Sequence, residues 1–217
     1  MRVGKRLTAN TDASAIVDRS VTRFLPLVLV ASVVTGCATG RTAVVTERTC
    51  GTVRVPVTTE VDGRRLALNG MAVREVALVQ VDLYVGALYL EHRTRDVGTF
   101  LGSNQHKRLE LHFVHDIGRD SVLRFLRWGF SGNPEELRSE YEAQADWIEQ
   151  FFTDYVVGDV VAFDYRPGHG ITMSKNGQTL GYFDGDEFAK LFFGVFVGPR
   201  ASNRALREGL VGGVCNE

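Results

Sequence analysis

From residue 53 the chain alternates: VRVPVTTEV and RRLALNG set apolar side chains at every second position, the period of a half-buried β-strand. Asp62-Gly63 and Asn69-Gly70 interrupt the alternation, and both dipeptides favour tight hairpin turns. Met71 to Leu78 and Val81 to Leu90 continue as strands, and KRLELHFVHDI (107–117) places Leu109, Leu111 and Phe113 on one face. Four or five antiparallel strands in succession are expected to form a sheet.

The period then lengthens. Asp120 is placed to cap SVLRFLRWGF, and Asn133 followed by Pro134, Glu135 and Glu136 supplies a cap, an N1 proline and first-turn acids. Leu137, Tyr141, Ile148, Phe151, Phe152 and Tyr155 share one helical face, which predicts a long amphipathic helix to about Val156, packed on the sheet. DVVAFDYRP, HGITMSK and QTLGYF return to β structure, the last two joined at Asn176-Gly177 by a type I′ turn. Asp184 and Glu187 have capping-box spacing before the apolar helix EFAKLFFGVFV, which Gly198-Pro199 ends. SNRALREGLVG closes the chain as a short helix. There is no internal repeat.

The N-terminal part follows another pattern. Phe24 to Val34 (FLPLVLVASVV) is an apolar run too short to span a bilayer but suited to the core of an export signal. VTGC at 34–37 resembles a bacterial lipobox, so Cys37 is expected to be diacylated and to become the new N-terminus, with 1–36 as signal peptide and 37–52 as a polar tether. The competing reading is a buried strand. Ala38, rather than an aspartate, after the cysteine favours the outer membrane, so the domain at 53–217 is expected on its periplasmic side. Asp12 and Asp18 fit a signal poorly, and translation from Val21 would account for them.

Composition is that of an ordinary globular domain, 44% hydrophobic and 24% charged, with a formal net charge of −1. The first 36 residues hold five basic and two acidic side chains, leaving 20 basic against 24 acidic, a net of −4. With no clustered Lys/Arg stripe, nucleic acid is not an expected partner. Cys50 and Cys215 lie near the two ends of the expected mature domain, and an exported protein sits where disulfides persist. A Cys50–Cys215 bridge is expected, with two free thiols as the alternative.

In NGMAVREVALVQVDLYVGALYLE (69–91), Arg74 stands inside an apolar strand, where a permanent charge needs an anion, a carbonyl or a route to solvent. This segment, with LELHFVHDIGRDSVLRFLRWGF and SKNGQTLGYFDGDEFAKLFFGVFVGPRASNRALREGLVG in that order, resembles the chalcone isomerase-like family, in particular its exported bacterial members. The likeness runs from about Val53 to Val211. It implies an α+β fold, an open-faced β-sandwich in which a large antiparallel sheet is covered by a layer of helices, with a ligand cleft between.

The resemblance also implies roles. Arg74 falls where the family places its cleft arginine, which stabilises an oxyanion in the plant isomerases and holds a carboxylate in the fatty-acid-binding members. The threonine of the plant isomerases corresponds to Tyr84, and their helical tyrosine and asparagine to Ser121 and Trp128. The set that positions a flavonoid is therefore replaced, and Tyr84 beside Arg74 is suited to clasp a carboxylate.

The expected function is thus non-catalytic binding of a fatty acid or a similar apolar carboxylate by Arg74 and Tyr84. Two alternatives stand beside it: an isomerase or intramolecular lyase using Arg74, and a periplasmic interaction module with Arg74 paired to Glu75 or Asp82. A small apolar acid and the membrane, through the lipid anchor, are the expected partners. No cofactor signature is found: there is no phosphate-binding loop and no G-x-S-x-G. No metal is expected, since His112 and His115 lie three apart on a strand and point to opposite faces, and Asp184, Asp186 and Glu187 suit helix capping better than calcium.

Overall fold

The computed structural model describes residues 46–76, 80–131, 142–201, 203–213 and 215, all within one compact unit, Ala43–Glu217. Cys37, the signal region and the helix start at Asn133-Pro134 lie outside the described residues.

Strands β3 (Thr58–Val61), β4 (Arg64–Val76), β5 (Val81–Leu90), β6 (Lys107–Phe113), β7 (Val160–Arg166), β8 (Gly170–Lys175) and β9 (Gln178–Phe183) form a seven-stranded antiparallel sheet in chain order. A separate hairpin, β1 (Glu47–Cys50) with β2 (Val53–Pro56), forms a two-stranded sheet. β1 thus lies inside the stretch expected as tether, and Cys50 is joined to Cys215 by a disulfide with a Cα–Cα distance of 5.7 Å.

Helices α1 (Val97–Gly102), α2 (Arg119–Ser131), α3 (Glu142–Glu149), α4 (Asp186–Val197) and α5 (Arg204–Leu210) complete the described elements. Among them, no helix is long and apolar enough to cross a membrane. Strand alternation divides the interior in two. Leu109, Leu111 and Phe113 of β6 face the helices, together with Phe163, Met173 and the phenylalanines of α4. Val73, Val85, Ala87 and Tyr89 face the other way, against Val55 and Cys50 of the β1–β2 hairpin.

Several local expectations give way to packing. Asn69-Gly70 makes no turn: β4 runs through it, with a register irregularity between Leu68 and Gly70. Asn69 is buried, its amide donating to the Leu210 carbonyl at 2.9 Å and its Oδ1 accepting from Thr94 N at 2.8 Å. Gly70 is needed because a Cβ there would lie 2.0 Å from the Gly209 carbonyl oxygen, so α5 rests directly on the β4 backbone. Asp62-Gly63 and Asn176-Gly177 are turns, with positive φ at all four residues (51°, 72°, 51° and 79°) as type I′ requires.

The long helix also ends early, at Glu149 rather than near Val156. Phe151 and Phe152 leave it by turns, and Tyr155 forms an antiparallel bridge with Ile117. Of the side chains read as one helical face, Ile148, Phe152 and Tyr155 are buried, the last two by a chain already turning back toward β7. Asp120 lies in the first turn of α2 instead of capping it. Asp184 and Glu187 form no capping box: Gly185 is the N-cap of α4 without a side-chain cap bond, and Asp186 Oδ1 accepts from Tyr165 Oη at 2.9 Å and Gly168 N at 2.9 Å. α1 was not foreseen; Asp96 caps it by accepting from Thr99 N at 2.6 Å.

Candidate functional site

Arg74 and Tyr84 are brought together by strand register. They are direct cross-strand partners in β4 and β5, and Arg74 shares parity with Ala72, whose methyl lies in the helix-side core. Immediately after Arg74 the register shifts, and Glu75 and Asp82 pair with each other on an exposed edge. Neither carboxylate forms an ion pair with Arg74. Among the described residues its observed partner is the ring of Phe125 on α2, with Cζ 5.5 Å from the centroid, a cation–π contact.

Both side chains line a cavity of about 70 Å³ between sheet and helices. Its walls are mainly apolar, from Leu111 and Phe113 on β6, Leu126 on α2 and Val195 and Phe196 on α4. No acidic side chain is among the described residues lining it. A guanidinium with no counter-charge in an apolar recess gives a positive potential that an anion would relieve.

Three polar groups line the cavity beside the guanidinium. The Tyr84 ring packs edge-on against Phe113, centroids 5.7 Å apart, and burial pushes its phenol up to about 12, with the Arg74 charge opposing the shift. The phenol is therefore a neutral hydrogen-bond donor at any physiological pH. Asn203, the N-cap of α5, uses Oδ1 to accept from Leu206 N at 2.7 Å, which leaves its amide N–H groups for a ligand. Tyr155 stacks on Phe113 at 4.4 Å, and its hydroxyl is buried without a hydrogen-bond partner among the described residues. Burial raises its pKa as well.

Residues 47–212, more than half of the chain, match the sequence profile of the chalcone isomerase-like family. The chain belongs to the chalcone isomerase-like family. A comparison with curated proteins finds no match. Among solved structures, the fold is similar to that of a fatty-acid binding protein of Arabidopsis thaliana, with a TM-score of 0.60 and 12% identity over 74% of this chain and 92% of that one. At this identity the likeness establishes the fold.

Within this chalcone isomerase-like domain, Ser121 and Trp128 do not line the cavity. Ser121 Oγ accepts from Arg124, and Trp128 is 56% exposed. From α2 the cavity receives Val122, Phe125 and Leu126 instead. His112 bonds to Glu110, 3.0 Å away on the same strand face, and no cluster of three metal-ligating side chains occurs among the described residues.

Asn203, Phe125 and Tyr155 were missed by sequence reasoning. Asn203 carries the ordinary signal of a helix N-cap, Phe125 reads as one more apolar position on α2, and Tyr155 reads as helical. Nothing local marks any of them as lining a cavity with Arg74.

Proposed function

We propose that this protein is an exported lipoprotein, anchored through Cys37 at the periplasmic side of the outer membrane, that binds an apolar carboxylate such as a fatty acid. The observation that carries the binding reading is the Arg74 guanidinium, which has no carboxylate partner among the described residues, lines an apolar cavity and stands directly across the strand from the Tyr84 phenol. A carboxylate would receive a forked pair of hydrogen bonds from Arg74, with Tyr84 and the Asn203 amide as further donors. Charge-assisted bonds of this kind are worth about 1.5–3 kcal/mol each, and each buried methylene of the tail adds about 0.8 kcal/mol. The fatty-acid binding protein of similar fold supports this choice of ligand class.

Enone chemistry would require a group that moves a proton near neutral pH. The described cavity lining offers phenols for that role, and burial raises the pKa of both Tyr84 and Tyr155. Binding is therefore favoured over isomerisation.

Native mass spectrometry tests the reading on chain carrying Cys37→Ser, recovered from a bacterial periplasm, with and without Arg74→Ala. A co-purifying acyl mass that disappears with Arg74→Ala is expected. An empty protein in both preparations, with no added fatty acid retained, would overturn the proposal. For the anchor, the intact mass of the unmutated membrane-extracted protein should correspond to a chain starting at acylated Cys37; a mass that includes the residues before Cys37 would refute it.

A further inference from the structure

We propose that Phe125 is a gate that competes with the ligand for Arg74 and thereby sets both affinity and the length of tail accepted. This inference rests on the carboxylate reading above and concerns the same cavity.

The empty cavity is too small for a long acyl chain. Its volume of about 70 Å³ is about half that of a 150 Å³ apolar cavity that accommodates benzene. Something must move for a long tail to enter, and α2 as a whole is poorly placed to do so. At one end, Arg119 donates to the Phe152 carbonyl at 3.0 Å and the Glu149 carbonyl at 3.1 Å. In the last turn at the other end, Gly129 packs so closely on Val195 of α4 that a Cβ would lie 2.3 Å from it. Arg127 further ties the helix to Glu149 of α3.

Phe125 lies between these two fastenings. It lines the cavity together with Val122, three residues before it on the same side of α2, and with Leu126, which stands four residues after Val122. Leu126 is buried whereas Phe125 is half-buried, so the Phe125 ring has solvent to turn into and Leu126 has none. The same ring is the observed partner of the guanidinium. One rotamer change would therefore release Arg74 and enlarge the cavity.

Competition of this kind lowers the apparent affinity by the fraction of molecules in the open state. Removing the ring raises that fraction and adds space for the tail. Phe125→Leu keeps most of the bulk but removes the π-face, so it separates the two effects.

The test is isothermal titration of the full chain carrying Cys37→Ser with a series of saturated acids from hexanoate to palmitate. Wild type, Phe125→Ala, Phe125→Leu and Arg74→Ala are compared, with thermal melts confirming that each is folded. Phe125→Ala is expected to bind about three- to thirtyfold more tightly, the range of a cation–π contact at a partly desolvated site, and to move the optimum toward longer tails. Phe125→Leu should gain affinity while keeping the wild-type length optimum, and Arg74→Ala should lose binding throughout the series. A folded Phe125→Ala that binds as wild type or more weakly, with wild-type binding still dependent on Arg74, would overturn the gate and leave the carboxylate site standing. Absence of binding in both wild type and Phe125→Ala would overturn the gate together with the reading beneath it.

Discussion

Lys107 allows a quantitative test of the core at the end of β6 away from the cavity. It is 3% exposed, and its Nζ donates to the Ser103 carbonyl at 2.8 Å among the rings of Phe100, Tyr165 and Phe193, at 5.1, 4.9 and 6.0 Å. No carboxylate forms an ion pair with it among the described residues. Burial lowers its pKa from 10.5 to about 8, Lys190 adds to the shift, and Asp186 partly opposes it.

A folded-state pKa below the unfolded one means that the unfolded chain holds the proton more tightly between pH 8 and 10.5, so stability rises with pH across that window. That lowering corresponds to a penalty of about 3 kcal/mol below pH 8, most of which is relieved by pH 10. From about pH 9 a second effect opposes this in any variant that keeps the tyrosines, because the unfolded chain ionises tyrosines whose folded pKa values are raised, Tyr84, Tyr89, Tyr155 and Tyr165 among them. Lys107→Met removes the titration and keeps the packing volume, leaving one carbonyl short of a donor. Urea unfolding at pH 7, 8, 9 and 10, with the disulfide intact, should show wild type gaining about 2 kcal/mol or more relative to the variant from pH 7 to 10, the tyrosine contribution being common to both. Parallel profiles for the two proteins, or a wild type that loses ground to the variant from pH 7 to 10, would refute the reasoning.

Two further substitutions bear on the core, read by the same unfolding measurement. Tyr155→Phe removes a buried hydroxyl that has no hydrogen-bond partner among the described residues and should stabilise the protein by about 1 kcal/mol at neutral pH; a loss of 1 kcal/mol or more would show that the hydroxyl is satisfied in solution. Cys50→Ser with Cys215→Ser opens a bridge between residues 165 positions apart and should cost about 2–5 kcal/mol, since a long loop no longer restricts the unfolded chain. An unchanged urea midpoint would refute that.

What the sequence by itself determined is whatever rests on short-range preference and on composition. Period-two alternation marks β6 and its inward Leu109, Leu111 and Phe113, and the glycine-containing pairs at 62–63 and 176–177 take the positive φ that their turn chemistry favours. A cation in the apolar strand at 74 was conspicuous for the same reason, since its cost depends on little beyond the character of its neighbours. What only the tertiary structure decided depends on residues far apart in the chain. Asn69-Gly70 has turn chemistry, yet α5 settles on Gly70 and the Leu210 carbonyl claims the Asn69 amide, so the strand continues through it. Asp186 is drawn from capping by Tyr165 and Gly168, and Tyr155 is drawn from a helical pattern by its bridge to Ile117. The cavity belongs to this second class. Arg74 meets Tyr84 by strand register, Asn203 by the return of α5 and Phe125 by the packing of α2, and no periodicity along the chain records which ring comes to rest on the guanidinium.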